Sequence, residues 1–138
     1  MTNETLAKIR RLVGAVKKED LRYVDCFVGG EVALFMPVGG ACFYAVTPEH
    51  CHPGYMFVVP FDDRTEVKMA GKVLTSGHGR IFCLSPGIPH QELPSESAPR
   101  YIAIMINKRF FERQLAHYGA RRPIVFRGEA HDAPPGLL

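Results

Sequence analysis

Residues 55–69 run YMFVVPFDDRTEVKM. Apolar and aromatic residues fill Tyr55–Val59, and Pro60 to Asp63 interrupt them. Thr65, Val67 and Met69 then alternate with Glu66 and Lys68. A period of two is the mark of a strand with one face on a core, so the stretch reads as strand, turn, strand. The same texture extends outward in both directions. Short runs rich in Val, Ile, Phe and Tyr occupy Val24–Val28, Glu31–Met36, Ala41–Val46, Arg80–Leu84 and Arg100–Ile106. Between them lie Gly29-Gly30, Gly39-Gly40, Pro48, Pro53-Gly54, Ala70-Gly71, Gly77 to Gly79 and Pro86 to Pro89. In the last run Ile102, Ile104 and Ile106 share a face opposite Tyr101, Ala103 and Met105. Many short strands with Gly/Pro turns and no helical pattern between them predict an antiparallel sandwich or barrel over residues 23–106 and exclude βαβ units.

A helix is expected on each side of this segment. From Asn3 to Lys18, Leu6, Ile9, Leu12, Val13 and Val16 form one apolar stripe, with Thr2 or Asn3 as cap and Glu4 at the positive end of the dipole. Lys108 to Tyr118 is the second helix. Asn107 caps it, Phe111, Leu115 and Tyr118 line one side, and Gly119 stops it. Residues 121–138 carry no clear pattern. Pro134-Pro135-Gly136 followed by Leu137-Leu138 is an abrupt apolar ending, which reads as a chain cut from something longer.

At 138 residues, 46% hydrophobic and 22% charged, the chain is expected to be one domain spanning 1–138 with a real core. No apolar run reaches membrane-span length and Met1 to Lys18 lack a signal-peptide layout, so no membrane partner and a cytoplasmic location are expected. Cys26, Cys42, Cys51 and Cys83 form no CxxC pair and are expected to be reduced and mostly buried. The formal charge of +3 resides in residues 1–22, which hold six basic and three acidic side chains. The balanced remainder gives no electrostatic case for binding nucleic acid by itself.

Three of the six histidines stand out. His50 and His52 are two apart, so an extended backbone points both imidazoles to one face, and His90 follows the rigid Pro86-Gly87-Ile88-Pro89 turn. Inside an antiparallel roll they can converge as three neutral imidazoles, a first shell for a divalent metal such as Fe, Ni or Zn. Glu92 shares the face of His90 on an extended strand and could add a carboxylate. His78 reads as a turn residue, His117 as exposed on the second helix and His131 as tail. Cys51, pointing away from its histidine neighbours, reads as structural. No phosphate-loop spacing is present.

His50-Cys51-His52 followed by Pro86-Gly87-Ile88-Pro89-His90 resembles the two motifs of the cupin superfamily. That resemblance implies a double-stranded β-helix, or jelly roll, closed into a small barrel with its site inside. The family glutamate that follows HxH would fall near Met56 or Phe57, and neither can be a hard ligand. The barrel, its Pro-Gly-x-x-His turn, the apolar strand Tyr101–Ile106 and the Lys-Arg-Phe-Phe-Glu helix further resemble the N-terminal domain of AraC-type transcriptional regulators. This second resemblance implies a small-molecule effector in the barrel, with His50, His52, Tyr55, His90 and Glu92 as its anchors. It also implies a homodimer and DNA binding through a C-terminal helix-turn-helix domain that is absent from these residues. The chain is then a sensor and not an enzyme. The alternative is a free-standing metal cupin of the three-histidine dioxygenase kind. A third option, a roll that only dimerises, requires an interior filled by side chains.

Overall fold

The structure, a computed structural model, describes residues 1–38, 48–61, 66–75, 77–93 and 101–136. Among the described residues the α-helices are α1 (Asn3–Val13) and α2 (Lys108–His117). Its nine described strands are β1 (Val24–Val28), β2 (Val32–Pro37), β3 (Tyr55–Pro60), β4 (Glu66–Met69), β5 (Lys72–Thr75), β6 (Arg80–Leu84), β7 (His90–Glu92), β8 (Tyr101–Ile106) and β9 (Arg127–Asp132). The fold is mainly β, and every described pairing is antiparallel. The expected strand Ala41–Val46, and the residues Thr65 and Arg100, fall outside the described residues.

The described strands form two open sheets rather than one hydrogen-bonded ring. The larger runs β1-β2-β8-β3-β6-β9 and the smaller β5-β4-β7. Their inner faces meet across one core. Val24, Phe35, Met56, Val58, Phe82, Leu84, Tyr101, Ala103 and Met105 come from the large sheet, and Val67 and Met69 from the small one. Strand parity places Tyr101, Ala103 and Met105 inside, with the isoleucine row of β8 on the half-buried outer face.

Helix α1 starts where Thr2 Oγ1 accepts the Thr5 N–H at 3.1 Å. It ends at Val13 and not at the expected Lys18. Gly14 takes φ +94 and returns its N–H to the Arg10 carbonyl, which turns the chain while still burying Val16. The expected apolar stripe is real, since Ile9, Leu12 and Val13 are buried. Helix α2 is capped by Asn107 as expected, but none of its residues is fully buried and Tyr118, expected on its packed side, is 84% exposed.

Two strands escaped the apolar pattern. The Ala70-Gly71 turn has positive φ at both residues, 48° and 80°, and closes a two-residue hairpin between β4 and β5. The segment 127–132, expected as unpatterned tail, pairs with β6 as an edge strand with a bulge opposite Cys83/Leu84. It is the polar stretch RGEAHD, in which only Gly128 is buried. Gly128 has φ +86, and a β-carbon there would come within 2.6 Å of Met69 Cβ, so glycine alone lets the edge strand approach the small sheet. Of the described cysteines only Cys83 is buried, Cys26 is half-buried and Cys51 is exposed, which corrects the expectation of mostly buried thiols.

Gly54 is the tightest crossing near α1. Its N–H donates to the Leu12 carbonyl at 3.1 Å, and a β-carbon would sit 2.9 Å from the Ile106 carbonyl oxygen and 3.0 Å from that of Leu12. Both obstacles are backbone and cannot rotate away. Gly54→Ala is expected to destabilise the protein by about 1–3 kcal/mol in urea titration, and an unchanged midpoint would show that α1 is not held at this point.

Candidate functional site

The three histidines converge. His50 and His90 exchange two backbone hydrogen bonds, His50 N–H to the His90 carbonyl at 3.0 Å and His90 N–H to the His50 carbonyl at 2.9 Å. This isolated antiparallel bridge sets their side chains side by side, with ring centroids 4.4 Å apart. His52 lies 4.9 Å from His50 and 4.8 Å from His90 by the same measure. Its carbonyl accepts from Gly87 N–H at 2.9 Å, so the Pro86-Gly87 turn that precedes His90 also fixes His52. Gly87 has φ +80, as position i+2 of a type II turn requires.

Each Nδ1 faces a backbone carbonyl: His50 to Pro48 at 2.9 Å, His52 to Val13 at 2.8 Å and His90 to Ile88 at 3.2 Å. A carbonyl only accepts, so each of the three rings carries a proton on Nδ1. This is how metal-binding imidazoles are oriented by their outer partners. One ring nitrogen from each histidine lies within 4.8 Å of the other two. The Nε2 of His90 is buried with no hydrogen-bond partner. The arrangement is compatible with a divalent metal ion, which His50, His52 and His90 would hold. Glu92, expected as a possible added carboxylate, is not part of that group.

Burial pushes the pKa of His52 down to about 4, with the Val13 carbonyl opposing the shift. It pushes that of His90 down to about 3, helped by the neighbouring imidazoles of His52 and His50. Both rings are therefore neutral at neutral pH, the form that can ligate. Burial raises Glu92 above the usual carboxylate range, against the Tyr101 hydroxyl, which donates to Oε1 at 3.3 Å. Its other oxygen, Oε2, is buried without a partner.

His50, His52 and Glu92 border a cavity of about 40 Å³ between the two sheets, open at its mouth. Val24, Phe35, Met56, Val58, Ala103 and Met105 supply its apolar wall; His50, His52, Glu92 and Tyr101 supply polar atoms. A second space of about 20 Å³, also bordered by Glu92, touches His90. The interior is thus not filled by side chains, against the dimerisation-only option. Tyr55, expected among the anchors, lies elsewhere. Met56 and Val58 take the inner face of β3, so Tyr55 faces out, stacked at 4.4 Å on Phe111 of α2 with its hydroxyl toward Glu112 and the Ile124 carbonyl. Residues the sequence did not single out are Tyr101 and Val13. The first was visible as the residue opening an inward-facing row; the second had no signal, because its carbonyl is what acts.

No family model matches the chain. No curated protein matches it either. Among solved structures, protein NMB1881 from Neisseria meningitidis is 14% identical, with 60% of this chain and 82% of that one covered and a TM-score of 0.46. The AraC-like transcriptional activator CuxR is 15% identical over 80% of this chain and 44% of its own, with a TM-score of 0.46. The S161A mutant of Bacillus subtilis oxalate decarboxylase OxdC is 13% identical over 75% of this chain and 34% of its own, with a TM-score of 0.38. No described helix is long and apolar enough to cross a membrane.

The neutral imidazoles make stability pH-dependent. Between the ordinary histidine value of 6.5 and the folded values of about 4 and 3, the unfolded chain binds protons that the folded chain refuses. Stability is then lost as pH falls through this window, with a slope of at most about 2.7 kcal/mol per pH unit for the two rings together. Urea midpoints of chelator-treated protein should drop from pH 7 to pH 5, and the His52→Gln/His90→Gln double variant should flatten the profile. A wild-type midpoint that holds across the window would mean these rings are charged in the fold.

Proposed function

We propose that the chain is the effector-binding domain of an AraC-type transcriptional regulator with a cupin-like roll, and that a small molecule enters the cavity between its sheets. The observation that carries this reading is the cavity itself: an apolar wall with a few clustered polar atoms, the usual make-up of a small-molecule site. A route out of the site supports the regulatory part. His52 is hydrogen-bonded to the Val13 carbonyl at the end of α1, and Val13 lines the cavity, so occupation acts directly on how that helix docks. An effector with different affinity for two dockings of α1 shifts their populations. A homodimer would transmit that shift, in the cytoplasm, to DNA-binding halves beyond Leu138.

The second reading, a metal cupin enzyme, is favoured by one feature, the three Nδ1-anchored imidazoles. An ion of Fe, Ni or Zn held by His50, His52 and His90 would supply a Lewis-acid centre at the cavity wall. The protein's own part there would be to keep the imidazoles neutral, fix their tautomer and surround the site with apolar side chains.

The two readings part at the coding frame. A frame that continues past Leu138 into two helix-turn-helix units is the expected result; a stop codon at that point overturns the regulator reading. Equilibrium dialysis against Zn, Ni and Fe(II) tests the metal separately, and one ion per chain that is lost in His90→Ala is the outcome the enzyme reading requires. For the sensor, His90→Ala should weaken binding of the effector at least about tenfold while leaving the urea midpoint of the folded protein measurable. Unchanged affinity would remove His90 from the site.

A further inference from the structure

We propose that Glu92, oriented by Tyr101, receives one hydrogen-bond donor of a compact and otherwise apolar molecule, so that the pocket selects small alcohols, phenols or amines over sugars and other polyols. The proposal rests on the cavity being a small-molecule site and adds the chemical class of its occupant.

Glu92 stands in β7 opposite Val67, at the wall shared by the two cavities, and Met56, Val58 and Tyr101 border both with it. Its carboxyl is half satisfied. Oε1 accepts from the Tyr101 hydroxyl at 3.3 Å, while Oε2 is sealed from water with no partner. A buried carboxyl oxygen without a hydrogen bond is a costly feature, and the remaining partner is best supplied by whatever fills the space beside it. Because Glu92 lies outside the group of histidines able to share an ion, this role does not compete with theirs.

The rest of the lining limits the molecule. Among the described residues, apart from the three histidines, Glu92 and Tyr101, every side chain bordering either cavity is apolar. A sugar bears a hydroxyl on nearly every carbon and would lose water from most of them without recovering a partner. Among the described residues no lysine or arginine borders either space, so their walls offer an anionic molecule no counter-charge. A ring or short branched chain with one O–H or N–H group meets both conditions.

The test pairs molecules of the same shape that differ in the donor: p-cresol against p-xylene and benzylamine against ethylbenzene, with glucose as the polyol. Binding to the chelator-treated 138-residue chain is measured by calorimetry. The donor-bearing member of at least one pair should bind at least tenfold more tightly than its twin, and glucose should not bind at the same concentrations. Glu92→Leu should abolish the difference and leave p-xylene affinity within twofold. Tyr101→Phe, which keeps the carboxyl and removes its orienting hydroxyl, should reduce the difference several-fold and serves where the leucine variant does not fold. Equal binding within both pairs, a preference that survives these substitutions, or saturable binding of glucose would overturn the assignment to Glu92 while leaving the cavity a binding site. Failure of all four aromatic probes to bind would overturn both.

Discussion

Two backbone hydrogen bonds between His50 and His90 hold the site together. They join segments 40 residues apart in sequence and place two imidazoles on one side of a bridge, where neither ring has freedom to turn away. Everything else attaches to that bridge. The Pro86-Gly87 turn grips the His52 carbonyl, and the end of α1 grips its ring, so a loop, a strand and a helix are tied to one triangle of imidazoles. Only backbone carbonyls and amides do the tying. The geometry therefore depends on the path of the chain more than on the identity of neighbouring side chains.

The cavity beside this triangle follows from unequal residues in neighbouring strands. Across the β2–β8 ladder Ala33 faces Met105 and Phe35 faces Ala103. Large residues are thus paired with small ones on the inner face, and the alanines leave room that bulkier residues would fill. From the small sheet Glu92 reaches this wall, and His90 borders the second space together with Val67 and Met69. Holding open space and a half-satisfied carboxyl in a core costs stability, and folding alone gives no reason to keep either. Their joint presence at one place is the strongest sign that the interior serves a ligand.

Much of this was legible beforehand, and the failures have physical causes. Alternation marked the strands that bury one face, so β3, β4, β6 and β8 emerged from the sequence within a residue or two. The polar β9 could not, because its backbone supplies the pairing and Gly128 alone goes inside. Strand β5 was hidden by its exposed side chains, although Ala70-Gly71 had already announced the hairpin. In the site, the spacing of His50 and His52 gave their common face and the Pro-Gly turn gave His90. Glu92 came from parity with His90. Tyr55 failed by the same rule: once Met56 and Val58 are inside, Tyr55 must face outward, where α2 covers it. Parity within a strand is local and readable; which face meets the other sheet is decided by long-range packing.

The donors and acceptors of the site also bring its two readings closer than their functional classes suggest. The three Nδ1–H groups are spent on carbonyls, which leaves the Nε2 lone pairs of the neutral His52 and His90. Glu92 Oε2, a short way along the same wall, lacks a partner of its own. Such a surface suits an ion on one side and a donor group on the other. An alcohol or amine has both a lone pair and a hydrogen on the same atom, and could meet an ion with the first and the carboxyl with the second. Recognition by the pocket therefore does not require choosing between a sensor and an enzyme. That choice is made by what the site is connected to, and in this chain its most direct connection is the Val13 carbonyl at the end of α1.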